Sequence, residues 1–256
     1  MQTKIRVGAV SYLNTKPLIY GFDQGKINEE AELIIDYPSN IASMLLADKI
    51  DVGLVPVAII PELKEYHIIS DYCIASDGDV ASVCLFSDVP MENIEKILLD
   101  YQSRTSVELL KILVKEHWKI HPVFEETAAE YQQEITGTTA ALVIGDRALE
   151  QRKKSTYIFD LGLEWKKFTG LPFVFAAWVS NKKLNEDFIK IFNEANEYGL
   201  NHIEQIVADN PFQSFDLQKY YTQHISYTLD ENKKKGLQIF LDKLVSEPEL
   251  CINNKF

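Results

Sequence analysis

Short runs of β-branched and other apolar residues alternate with stretches whose apolar residues recur at helical spacing, and this alternation limits the chain to an α/β fold. Ile5 to Val10 reads as a strand, and Lys16 to Phe22 as a helix. Glu32 to Tyr37 is a second strand, followed by a helix carrying Ile41, Met44 and Leu45. Asp51 to Val55 is a third, with Pro56 able to begin the next helix. Strands separated by single helices point to parallel pairing. The middle of the chain repeats the pattern: strands at Ile97 to Asp100, Val123-Phe124, Ala140 to Ile144 and Tyr157 to Leu161, and a helix opened by Ser103. After Ser180 the pattern is helical.

Two further apolar runs, Val80 to Ser87 and Pro172 to Ser180, bracket the second block. The simplest topology is a clamshell with these runs as two hinge strands. One lobe is then 1–86 plus 179–256, the other is the inserted 87–178, and the ligand cleft lies between them.

A chain of 256 residues with 46% hydrophobic and 25% charged residues can bury a core of this size. Its net charge of -12 excludes nucleic acid and anionic membrane as expected partners. It also repels an anionic substrate at long range, so an anion site has to be made locally, by amides at helix starts. Cys73, Cys84 and Cys251 match no metal or disulfide spacing and read as ordinary buried thiols. The N-terminus shows no signal-peptide pattern and no segment is long enough to span a bilayer, so a cytoplasmic location is expected.

In parallel α/β sheets, ligands sit beyond the carboxyl ends of the strands. Four loops there carry polar helix starts: Ser11 to Pro17, Pro38-Ser39-Asn40, Asp100 to Ser106, and Gly145-Asp146. Each alone could be simple helix capping. Facing one another, they would suit a small ligand with more than one carboxylate. Dinucleotide, P-loop and nucleophile-elbow motifs are all absent. His67, His117, His121, His202 and His224 show no ligand spacing, and no general base stands out.

The stretch Val7-Gly8-Ala9-Val10-Ser11-Tyr12-Leu13-Asn14-Thr15-Lys16-Pro17-Leu18 resembles the N-terminal signature of the chorismate dehydratases of the futalosine route to menaquinone. Asp51 to Ala58, Ser82-Val83, Ser103-Arg104-Thr105-Ser106, Leu142 to Asp146, Asp160-Leu161-Gly162 and Thr169 to Trp178 are similar in order and spacing. The resemblance implies a two-lobed periplasmic-binding-protein type 2 fold used as an enzyme, a lyase. It would convert chorismate to 3-[(1-carboxyvinyl)oxy]benzoate without a metal or organic cofactor. It also implies roles for residues. Asn14 would stand beside the reacting ring, Ser82 would be a contact on the hinge strand, and Thr105 and Ser106 would anchor a carboxylate. Ser11, Ser39, Ser103, Gly145 and Asp146 are further substrate-binding candidates. Gly78-Asp79-Val80 departs from the Gly-Pro-Val of many relatives, and an added carboxylate there is unfavourable unless it points outward. A non-catalytic binding protein and the related dihydroxynaphthoate-forming enzyme share the fold; Ser11 to Pro17 favours the dehydratase. The small-molecule substrate is the expected partner, and the sequence leaves a homodimer open.

Overall fold

The computed structural model describes residues 4–246, so Cys251 lies outside the described residues. Within them the strands form two sheets. The first holds β1 (Ile5–Val10), β2 (Ala31–Asp36), β3 (Val52–Pro56), β4 (His67–Ser76), β10 (Phe173–Ser180) and β11 (Ser226–Thr228), in the order β11-β4-β10-β3-β1-β2. The second holds β5 (Val83–Ser87), β6 (Lys96–Leu99), β7 (Val123–Glu126), β8 (Thr139–Ile144) and β9 (Tyr157–Asp160), in the order β7-β6-β8-β5-β9. The chain passes from the first sheet to the second between Ser76 and Val83, and returns between Asp160 and Phe173.

The helices are α1 (Lys16–Asp23), α2 (Pro38–Leu46), α3 (Arg104–Ile112), α4 (Asp146–Gln151), α5 (Leu161–Thr169), α6 (Glu186–Leu200), α7 (Ile203–Asp209), the single turn α8 (Leu217–Lys219) and α9 (Glu231–Ser246). Their starts follow local chemistry. Proline in the first turn opens α1 and α2, where its missing N–H costs nothing. Ser103 caps α3 by accepting the Ser106 N–H at 3.1 Å, and Asn185 caps α6 by accepting from Asp187 at 2.7 Å.

Parallel pairing holds for β1 with β2 and β3, and for β6 with β7 and β8. It fails at the two bracketing runs. β10 is antiparallel to β3 and β4, and β5 is antiparallel to β8 and β9, so both sheets are mixed. Each run lies in one sheet only, and the expected boundaries at 86/87 and 178/179 fall inside β5 and β10. The reason is physical: both runs are central strands buried on two faces, so their apolar character marks the sheet interior rather than the crossing. The crossings are the polar Asp77–Gly78–Asp79 segment and α5.

The core is continuous over the first sheet and its helices. Trp165 on α5, Phe173 on β10 and Phe240 on α9 form an edge-to-face cluster with centroids 5.0–6.2 Å apart. Trp178 is fully buried and gives its indole N–H to Asn196 Oδ1 at 2.9 Å.

The α1–α6 contact depends on two glycines. A Cβ on Gly199 would lie 1.9 Å from Pro17 O, and one on Gly21 would lie 2.1 Å from Ala195 O. Glycine inside a helix ordinarily costs about 1 kcal/mol against alanine. Gly199→Ala is nevertheless expected to destabilise, because separating two packed backbones costs roughly 1–3 kcal/mol and exceeds the propensity gain. Urea unfolding checks this; a midpoint at or above wild type would show that the helices part freely.

Candidate functional site

A cavity lies between the two sheets at their strand ends. The first sheet contributes Val10 and the following Tyr12 and Asn14, then Leu54, Pro56, Phe175 and Ala176. The second contributes Gln102, Ser103, Thr105 and Ser106 at the start of α3, and Ile144 and Gly145 before α4. Val80 and Ser82 close the back, from the first crossing. None of the lining residues carries a formal charge.

Six of the nine residues singled out from the sequence meet here: Asn14, Ser82, Ser103, Thr105, Ser106 and Gly145. Ser11 is exposed and off the lining. Ser39 lies on α2 in an adjoining groove, beside Asn40, Gln102 and Arg104. Asp146 stands behind Gly145 and accepts the Leu13 N–H at 3.2 Å from across the cleft.

The hydroxyls and amides are held by identifiable partners. Ser103 Oγ is committed to its cap, while the N–H groups of Arg104 and Thr105 have no partner within the helix by its geometry. Thr105 Oγ1 accepts the Ala58 N–H at 3.1 Å from the first lobe, leaving its own proton to donate. Arg104, the one cation at this helix start, turns its guanidinium over to Glu62 at 2.9 Å. Arg147 is likewise engaged, by the buried Asp100 at 2.9 Å. Any anion in the cavity is therefore met by helix-start dipoles, N–H and O–H groups.

At the back, Tyr220 Oη donates to Ser82 Oγ at 2.7 Å and lies next to the Asn14 side chain. Tyr227 Oη donates to the Asn14 main-chain oxygen at 2.9 Å. Sequence reasoning missed both tyrosines, since no local pattern links position 14 to positions some two hundred residues later. Burial pushes the Tyr220 and Tyr221 hydroxyls well above the ordinary phenol range, so both stay protonated near neutrality. Burial also raises the Asp146 carboxyl to about 6, opposed by the Leu13 N–H and assisted by Glu150.

Asp79 does not face the cavity. Its half-exposed carboxylate lies 2.8 Å from His224 Nδ1, turned away from the cavity. Gly145 has φ +63°, which selects glycine, and the Tyr12 ring lies in ordinary contact with it.

Both crossings converge on Asp160. Its carboxylate accepts the N–H groups of Val80 (2.9 Å) and Ala81 (2.8 Å) on the outgoing crossing. It also caps the returning α5 through Gly162 (3.1 Å) and Leu163 (3.2 Å). Ala81 has φ +62°, an uncommon conformation for a residue with a Cβ, held where its N–H meets this carboxylate.

No described helix is long and apolar enough to cross a membrane, and the described residues contain no cluster of three or more metal-ligating side chains.

The sequence profile of a menaquinone biosynthesis family matches residues 5–246. The chorismate dehydratase of Thermus thermophilus is 26% identical over 231 residues, covering 81% of this chain and 84% of that protein. Among solved structures, protein AF1704 of Archaeoglobus fulgidus superposes with TM-score 0.77 at 16% identity, covering 96% of this chain and 98% of that one. The alkanesulfonate-binding protein SsuA of Xanthomonas axonopodis, bound to MOPS, gives TM-score 0.67 at 10% identity, covering 96% and 94%. The architecture is thus the two-lobed periplasmic-binding-protein fold.

Proposed function

Because the chain belongs to the menaquinone biosynthesis family, we infer that it is a chorismate dehydratase, a hydro-lyase that removes water from chorismate to give 3-[(1-carboxyvinyl)oxy]benzoate. The observation that carries this reading is the uncharged cavity with polar helix starts on two sides, placed where two sheets meet.

Chorismate is a dianion with a ring hydroxyl and an enolpyruvyl ether. The proton on the ether-bearing ring carbon is vinylogously acidic, since the ring carboxylate and double bond take up the charge. Loss of the neighbouring hydroxyl as water completes an aromatic ring, so the driving force lies in the substrate. The protein supplies placement. The α3 start, with Thr105 and Ser106, holds one carboxylate through N–H and O–H donors and the helix dipole. Ser82 Oγ accepts the Tyr220 O–H at 2.7 Å, directs its own hydrogen to Val80 O at 3.5 Å, and forms part of the cavity wall. The substrate's side-chain carboxylate, fixed beside the ring proton, acts as the base. Alignment of this kind can lower a barrier by up to about 7–11 kcal/mol. Asn14 hydrogen-bonds the charge or hydroxyl that develops on the ring. Closure of the lobes built on the two sheets keeps water out and strengthens each of these contacts.

Incubating the purified protein with chorismate tests the reading directly. The expected outcome is loss of chorismate with growth of a benzoate-type ultraviolet absorbance. Tight binding with no aromatic product would make the protein a receptor of the same fold instead.

A further inference from the structure

The turn that carries Asn14 is gripped from the opposite side of the cleft at two consecutive residues. Tyr12 Oη donates to Gln102 Oε1 at 2.5 Å, and the Leu13 N–H donates to Asp146 Oδ1 at 3.2 Å. The Tyr12 ring lies against Gly145. Gln102 is itself fixed, because Arg147 Nη2 donates to the same Oε1 at 2.8 Å and to both oxygens of Asp100 at 2.9 Å. Asn14 is the next residue in the chain, and Tyr227 and Tyr220 support it from behind.

We propose that Gln102 and Asp146 are positioning residues for Asn14: by gripping Tyr12 and Leu13 from the second lobe, they bring the Asn14 amide into register only when the cleft is shut. The proposal rests on the dehydratase reading for the meaning of register, and on the two cross-cleft bonds for its mechanism. Two bonds on adjacent residues fix direction as well as place, which a single contact cannot do.

Ionisation modulates this grip. Asp146 faces Leu13 N–H, Tyr12 and Lys16 from the first lobe, Tyr220 and Tyr221 from the C-terminal segment, and Arg147 and Glu150 on its own helix. The carboxyl sits at about 6 in the closed arrangement, against an ordinary value of 3.8. An open cleft would hydrate it and return it toward the ordinary value. The closed form therefore binds the proton more tightly, so protonation favours closure. As pH rises from 3.8 through about 6, closure must bury an ionised carboxylate and becomes less favourable, even though the Leu13 N–H bond itself favours the ionised form.

The test uses the full chain and three variants. Hydrogen exchange at the Leu13 amide, read without ligand, is expected to be about tenfold faster in Asp146→Ala, the loss of one hydrogen bond to a charged acceptor. It should stay near wild type in Asp146→Asn, whose amide oxygen still accepts. With chorismate, Asp146→Ala and Gln102→Leu should each lower kcat about tenfold with KM little changed, since the affected step is assembly rather than capture. Asp146→Asn should restore kcat and remove the decline expected of wild-type kcat as pH rises from 3.8 through about 6. Unchanged Leu13 exchange in Asp146→Ala, or a wild-type pH profile in Asp146→Asn, overturns the proposal. If Asp146→Ala does not fold, Asp146→Asn and Gln102→Leu decide it alone. Faster Leu13 exchange with no turnover by wild type would overturn the dehydratase reading and leave the grip supported.

Discussion

Asp160→Ala is expected to cost about 3–5 kcal/mol of stability, the range seen when a buried charged acceptor is withdrawn from several donors. The carboxylate is 6% exposed and serves Val80, Ala81, Gly162 and Leu163 N–H groups at 2.8–3.2 Å. Burial works against the ionised acid and pushes its proton affinity up, while the N–H donors oppose that shift. The mutation does not simply remove that cost. It leaves donors on both crossings without water or partner, takes the cap from α5, and frees Ala81 from the contact that stabilises its positive φ. The donors decide the sign. Asn at this position supplies one acceptor oxygen and turns an NH2 toward other donors, so Asp160→Asn should lose about half as much. Urea unfolding at pH 7 reads both variants; a loss below about 1 kcal/mol for alanine would mean that the crossings are held by something else.

The second large effect is on turnover. Asn14→Ala should lower kcat by about 10²–10³-fold, the usual consequence of deleting one donor aimed at developing charge. The fold has little reason to respond. The Tyr227 bond is to the Asn14 main-chain oxygen, which alanine keeps, and beside its contact with Tyr220 the Asn14 side chain accepts a long bond from Thr15 Oγ1 at 3.4 Å. A stable variant with near-normal turnover would remove Asn14 from the chemistry. Because Tyr220 touches both Ser82 and Asn14, Tyr220→Phe combined with Asn14→Ala should not be additive.

The strands that could be read from the sequence are the ones buried on both faces. β3 and β8 are almost wholly inaccessible, and their sequences are correspondingly unbroken apolar runs. β4 was illegible for the opposite reason. It carries His67, Ser70, Asp71 and Ser76, and it becomes a strand by pairing with β10 and β11. Its Ser70 is satisfied by Asn193 at 2.7 Å, a partner no local pattern reveals. α5 hid behind the run Tyr157 to Leu161, which reads as strand to its end until the Asp160 cap and the close approach of Gly162 to Ser76 and Gly78 are visible.

The site divides along the same line. Helix starts at strand ends are local, so Asn14, Ser103, Thr105, Ser106 and Gly145 could be placed from the sequence, and the cavity brings them together. Gln102, Tyr220 and Tyr227 act through contacts made only by tertiary closure. Arg104 shows the limit of reading residue types alone: its charge goes to Glu62 rather than to the cavity.

β5 and β9 are neighbours in the second sheet, with Cys84 opposite Asp160. Everything between those residues departs from and comes back to a single doorway. Such a segment can lengthen, shrink or be exchanged for a foreign module without altering the spacing its host must bridge. Grafting a different insert there, with Asp160 retained, offers a route to new ligand preferences on an unchanged base.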